Sequence, residues 1–132
     1  MKQLKYLSPE WTQEATRQLK EKLTPERMKH LTSSMVTVYT DCPDGKDRAL
    51  YYQLTDGVVD QVSLCEGKLP EAEFVITSDY ETFASISQVE LKARAALMSG
   101  KMTLKGNLVK ALRLAPVVDR LNKVLSTIPT EY

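Results

Sequence analysis

The apolar positions of this chain change period twice. Near the N-terminus Trp11, Ala15, Leu19 and Leu23 recur every four residues, which is one apolar stripe on a helix. Ser8-Pro9-Glu10 supplies its start: a capping hydroxyl, a proline in the first turn and an acid near the positive helix end. Thr24-Pro25-Glu26 repeats that signal, and Met28 and Leu31 predict a second, shorter helix. From Ser34 the period drops to two. Residues 35–40, 49–54, 58–64 and 72–77 are rich in β-branched and aromatic side chains and predict four strands. Turn chemistry separates them: Cys42-Pro43-Asp44-Gly45, then Asp56-Gly57, then Glu66-Gly67-Lys68-Leu69-Pro70. Short connections of this kind predict an antiparallel meander.

After residue 77 the helical period returns. Ser78-Asp79-Tyr80-Glu81 reads as a capping box, and Tyr80, Phe83 and Ile86 follow on a short helix. Val89 to Met98 predicts a further helix, compact because of Ala93, Ala95 and Ala96, which Gly100 stops. Lys101 to Lys105 alternates again, a fifth strand with Met102 and Leu104 on one face. Gly106 turns the chain and Asn107 caps the next helix, striped by Leu108, Ala111, Leu112 and Ala115. Pro116 interrupts it, and Val117, Val118, Leu121, Val124 and Leu125 mark a last helix before Pro129. The pattern is α+β: helices, a meander, then helices around one more strand. The final helix, broadly apolar, either closes the core or forms a removable cover over a cavity.

No repeat, low-complexity stretch or linker interrupts the 132 residues. One domain, 1–132, is expected, large enough to bury roughly 65–70% of its extended-chain surface. The net charge of +1 is unevenly spread. Residues 1–88 hold 10 Lys/Arg and 14 Asp/Glu, whereas residues 89–132 hold 8 and 3. The basic excess is either a set of solvated helix faces or a rim that attracts anionic headgroups, phosphates or carboxylates. No segment approaches ~18 consecutive apolar residues. The first seven residues lack the apolar core of a signal peptide, and Pro129-Thr130-Glu131-Tyr132 is neither a peroxisomal tripeptide nor a prenylation box. A cytoplasmic protein is expected.

Reactive groups are sparse. Cys42 and Cys65 would end strands about 9–10 Å apart from the strand spacing, too far for a disulfide, so both are expected as free thiols. His30 is the only histidine and lies far in sequence from either cysteine, which argues against a nucleophilic triad. One histidine and two cysteines at spacings of 12 and 23 residues make a poor zinc set. Gly100-Lys101-Met102-Thr103 fails as a phosphate loop: Ala95 stands where its first glycine belongs, Met102 where Ser or Thr belongs, and a strand follows instead of a helix. Asp41, Asp44 and Asp47 fit a turn better than a calcium loop, whose twelfth position is Tyr52. Basic residues do not interleave with exposed aromatics as on a nucleic-acid platform. The expectation is a protein without catalytic residues, metal, cofactor or nucleic-acid partner.

What remains is an apolar excess between Met98 and Leu125. It is either ordinary core or the wall of a cavity for a long apolar ligand, where methionine adapts to irregular shapes and lysines at the mouth meet a polar head.

The run Phe74-Val75-Ile76-Thr77-Ser78-Asp79-Tyr80-Glu81-Thr82-Phe83, followed by Ala96-Leu97-Met98-Ser99-Gly100-Lys101-Met102-Thr103-Leu104-Lys105-Gly106-Asn107, resembles the sterol carrier protein-2 family over roughly residues 34–127. In that family an acidic capped turn leads from a strand into a helix. An alanine-rich helix then leads to a Gly-Lys-apolar-x-apolar-x-Gly-Asp/Asn strand-turn, and Gly100, Lys101, Met102, Leu104, Gly106 and Asn107 match it. Residues 1–33 and the closing Ile128–Tyr132 segment look like the stand-alone prokaryotic branch. The resemblance implies a five-stranded, mainly antiparallel sheet covered by helices, with an apolar tunnel between them. It implies binding of a fatty acid, acyl-CoA, sterol or isoprenoid lipid without chemistry. On that basis Phe83, Ile86, Met98, Met102, Leu104, Leu108, Leu112, Leu121 and Leu125 are expected to line the cavity, with the terminal helix gating it from a hinge near Pro116. The partners implied are the lipid and, transiently, a membrane surface or a lipid-metabolising enzyme. The alternative is an accessory or dimerisation module that holds a lipid intermediate for a biosynthetic enzyme complex.

Overall fold

The computed structural model describes residues 3–132; Met1 and Lys2, the start of the stretch read above for a signal peptide, lie outside them. After a two-residue strand β1 (Leu4–Lys5), helix α1 runs over Pro9–Lys22. The Ser8 hydroxyl accepts from the Trp11 amide at 3.1 Å, capping the helix. Trp11, Ala15, Leu19 and Leu23 are all buried, so the four-residue stripe is the face that packs. The second helix expected around Thr24–Leu31 is a single closed turn. Lys29 and His30 take positive φ, and the His30 amide bonds back to the Pro25 carbonyl at 2.8 Å, which a continuing helix does not permit.

Five strands form the main sheet: β2 (Ser33–Thr40), β3 (Arg48–Thr55), β4 (Val58–Leu64), β5 (Phe74–Asp79) and β6 (Met102–Lys105), in the order β4-β3-β2-β5-β6. The sheet is mostly antiparallel, with one parallel pair, β2 with β5. The meander therefore stops after three strands, and the chain crosses over to place β5 on the far side of β2. The outer edge of β4 is already engaged. The Thr16 hydroxyl of α1 accepts from the Val62 amide at 3.3 Å and reaches the Val62 carbonyl at 3.2 Å. An edge strand covered in this way has less to offer a new neighbour.

Beyond β5 come α2 (Tyr80–Ser87), α3 (Ala93–Met98), α4 (Leu108–Arg113), α5 (Ala115–Leu125) and a last short strand, β7 (Thr130–Glu131). The cap of α2 is Asp79, which accepts from the Thr82 amide at 2.9 Å. Ser78, expected as that cap, stays in β5 and donates to the Lys101 carbonyl at 2.6 Å. The helix expected from Val89 to Met98 begins only at Ala93. Val89 takes φ +61° and ends α2, with the Glu90 amide on the Ser85 carbonyl and the Val89 amide on that of Ile86. This is a Schellman stop with valine where glycine is usual. Asn107 caps α4 as expected, accepting from the Lys110 amide at 3.0 Å. At Gly106 a Cβ would lie 2.7 Å from the Glu73 carbonyl oxygen, so the turn into α4 needs glycine. Pro116 occupies the first turn of α5, with Leu114 as the joint between α4 and α5.

The core draws on one sheet face, through Tyr39, Leu50, Tyr52, Leu54 and Val62, packed with Trp11, Leu19, Val117 and Leu125 of the helices. The termini close over one end. β1 pairs in parallel with β7, and the Trp11 indole donates to the Thr130 hydroxyl at 3.1 Å.

Candidate functional site

Side chains on the helix-covered face of the sheet alternate with those on the other. Met35 on β2, Leu54 on β3, Phe74 and Ile76 on β5, and Met102 and Leu104 on β6 all face the helices. The roof above them is thin. It is built from Ala93 and Leu97 of α3, Ala111 and Leu112 of α4, and Ala115, Val117, Val118 and Leu121 of α5. Alanine at three of these places leaves the space under the roof incompletely filled. Met35 and Ile76 are accordingly only half-buried, although they lie on the inner face. The result is an apolar cavity of about 80 Å³, with the exposed Arg94 on its wall.

A second chamber of about 40 Å³ adjoins it, sharing Met35, Ile76, Ala93, Met102, Val118 and Leu121 as common wall. Its remaining lining is partly polar. Tyr6, Thr37, Tyr39, Tyr52, Ser87 and Asn122 stand there beside Phe83 and Ile86. The Tyr6 hydroxyl bonds to Ser87 Oγ at 2.9 Å, and Thr37 Oγ1 donates to the Tyr39 hydroxyl at 3.0 Å. Burial raises all three phenols, most simply Tyr52, pushed up to about 12. Their neutral form is the one this chamber holds. Both chambers together fall well short of the roughly 300 Å³ at which ligand pockets begin, so a long chain must widen the gap between sheet and roof.

The attachment of the roof is uneven. Val117, Leu121 and Leu125 fix α5 in the core, and Arg120 donates to the Arg27 carbonyl. Helix α4 has no buried residue. It is held by its cap, by its joint to α5 and by the Lys110–Glu73 ion pair at 2.5 Å, where Glu73 also accepts from Ser33 at 2.5 Å. Lys110 and Ser33 hold the Glu73 carboxyl below its ordinary range.

Of the expected lining residues, Met102, Leu104, Leu112 and Leu121 line the outer chamber, and Phe83, Ile86, Met102 and Leu121 the inner one. Three lie elsewhere. Met98 is 66% exposed: Arg94 and Leu97 hold the cavity side of the short α3, and the next position turns away. Leu108 is 49% exposed at the free N-terminal end of α4. Leu125, one turn beyond Leu121, is 2% exposed in solid core. The sequence reasoning missed the polar inner wall and the floor at Met35, Leu54, Phe74 and Ile76. Strand alternation carried the signal for the floor, once it is known which strand face is covered.

Cys42 and Cys65 are free. Among the described residues no cluster of His, Cys, Asp or Glu could hold a metal ion, and no helix is long and apolar enough to cross a membrane.

A sheet that keeps an apolar space beneath a helical roof is the architecture of a lipid-transfer domain. The sequence matches the SCP-2 sterol transfer family over residues 2–119, and the chain belongs to that family. Similar solved structures include a sterol carrier protein 2 (25% identity, TM-score 0.81, covering 94% of this chain and 99% of that one). A conserved hypothetical protein from Thermus thermophilus is 24% identical, with TM-score 0.79 over 99% of this chain and 94% of that one. Palmitated sterol carrier protein 2-like 2 from Aedes aegypti is 22% identical, with TM-score 0.61 over 85% and 95%. No curated protein matches the chain in sequence.

Proposed function

We propose that this protein binds the hydrocarbon chain of a single lipid between its sheet and the roof of α3, α4 and α5, and passes it on without chemistry. The observation that carries this reading is the apolar chamber under an alanine-lined roof and the second chamber beside it, with Met35 and Ile76 left half-covered on the inner face. The palmitated state of the Aedes aegypti relative supports a lipid chain as the occupant. Burying a chain yields ~0.8 kcal/mol per methylene, so twelve methylenes give on the order of 10 kcal/mol. Ordering costs of several kcal/mol leave roughly micromolar affinity.

The chain enters by widening the roof at α4. This differs from a gate formed by the terminal helix, because α5 is anchored by four buried residues, Ala115, Val117, Leu121 and Leu125, and Pro116 belongs to its first turn. Lipid exchange with a membrane fits the composition of the α3–α4 stretch. Exposed Met98, Leu108 and Val109 belong to a stretch of chain carrying Lys92, Arg94, Lys101, Lys105 and Arg113, a composition suited to anionic headgroups.

Native mass spectrometry of freshly purified protein, followed by organic extraction, tests the reading. A copurified lipid that disappears in Met102→Glu, while near-ultraviolet circular dichroism is retained, is the expected result. Protein free of lipid, with no thermal shift from fatty acids, acyl-CoA or isoprenoids, overturns it.

A further inference from the structure

The inner chamber is polar where a plain hydrocarbon would require nothing polar. From its five hydroxyls (Tyr6, Thr37, Tyr39, Tyr52 and Ser87), their deep burial and its lack of charge, we infer that it recognises an uncharged oxygen at one end of the lipid, a hydroxyl or a carbonyl, which enters first and leaves the chain trailing toward Arg94. This deepens the lipid-carrier reading and rests on it.

Burying hydroxyls costs free energy unless they find partners, and their own bonds do not use them up. Two hydrogen bonds are formed, Tyr6 with Ser87 and Thr37 with Tyr39. The Tyr39 hydroxyl also lies near those of Tyr6 and Tyr52. Even if both approaches close into bonds, four bonds engage only four of five hydroxyl protons, so one donor remains for a ligand oxygen. The amide of Asn122 lines the same space.

The hydroxyl-bearing side of the chamber is also its deep side: Tyr6, Thr37, Tyr39, Tyr52 and Ser87 are each at most 5% exposed. The ring of Tyr6 stands edge-on to Trp11 and Tyr80, with centroids at 5.0 and 5.5 Å, and lies 4.8 Å from that of Tyr132. Behind it, the β1–β7 pairing ties the termini together. A group reaching this side meets no cation, since no lining residue of the chamber is charged. A carboxylate there would remain unpaired in low dielectric, which costs far more than a neutral hydroxyl. An ionised fatty acid would therefore keep its carboxylate at the Arg94 mouth, whereas an alcohol or ester gains by pointing inward.

The test titrates full-length protein with 1-dodecanol, 1-chlorododecane and dodecanoate at pH 8, by calorimetry with native mass spectrometry for stoichiometry. Two variants are compared with wild type. Thr37→Val/Tyr39→Phe removes both partners of one hydrogen bond, a change that can be nearly neutral for folding, and Tyr52→Phe removes one phenol hydroxyl. The expected result is a fall of about 5- to 10-fold in the ratio of dodecanol to chlorododecane affinity in Tyr52→Phe, whose hydroxyl belongs to neither of the two bonds. The ratio of dodecanoate to chlorododecane affinity should stay constant. An unchanged alcohol ratio in both variants, or an equal loss for alcohol and carboxylate, overturns the inference and leaves the carrier reading intact. Wild-type protein that takes up none of the three overturns both.

Discussion

Ala93 stands on the common wall of the two chambers, at the start of α3. Replacing it with leucine adds three carbons to that shared space. Wholly buried they would stabilise the empty protein by ~2.4 kcal/mol; because Ala93 is half-buried, about 1–2 kcal/mol is the realistic gain. For a chain of this length that corresponds to a rise in Tm of roughly 3–8 °C. The same three carbons block the passage. If three methylenes of the ligand no longer cross it, binding loses ~2.4 kcal/mol, close to a 50-fold increase in Kd. Stability and binding should therefore move in opposite directions in Ala93→Leu. Differential scanning calorimetry of lipid-stripped protein reads the first, and calorimetric titration with dodecanoate the second. A lower Tm together with weaker binding would mean simple overpacking, with no usable space at the joint. A higher Tm with unchanged Kd would show that ligands stop in the outer chamber. Either result refutes the continuous path.

Two further outcomes follow from the electrostatics. The three buried phenols are raised above 10, so their contribution to stability is complete below pH 10 and is lost as pH rises through their folded values, about 12 for Tyr52; Tm should fall above pH 10, less steeply in Tyr52→Phe. Glu73 is lowered from an ordinary 4.5, so its ion pair with Lys110 is intact above that value and lost as pH falls through the lower one. Since α4 has little else to hold it, Lys110→Met at pH 7, or wild type as the pH is taken well below 4.5, should release a bound fluorescent fatty acid roughly 2- to 5-fold faster in stopped flow, the range of a part-exposed pair. An unchanged release rate in both would remove α4 as the lid.

Most local structure was legible in the order of residues. The four-residue stripe on α1, the alternation of the strands, the Asn107 cap and the glycines at 100 and 106 act through neighbours a few residues away, so their outcome is set before the chain closes. The apolar excess was likewise confined to the region that supplies most of the roof. Where residues of ordinary type take unusual backbone, that legibility ended. Val89 stops a helix in the conformation glycine prefers, and Lys29 and His30 close a turn that reads as helix.

Which strand face is covered was a matter of long-range packing. On β2, Val36 and Val38 look the more apolar pair, yet Met35, Thr37 and Tyr39 face the helices, because the parallel pairing with β5 and the packing of α1 select that side. The same choice gathers Tyr6, Tyr39, Tyr52 and Ser87 from four separated segments into one chamber. It turns Met98 and Leu108 outward and buries Leu125 in solid core. Long-range pairing carries no local signature, and the cavity is a remainder: the space left after every larger side chain has found its place.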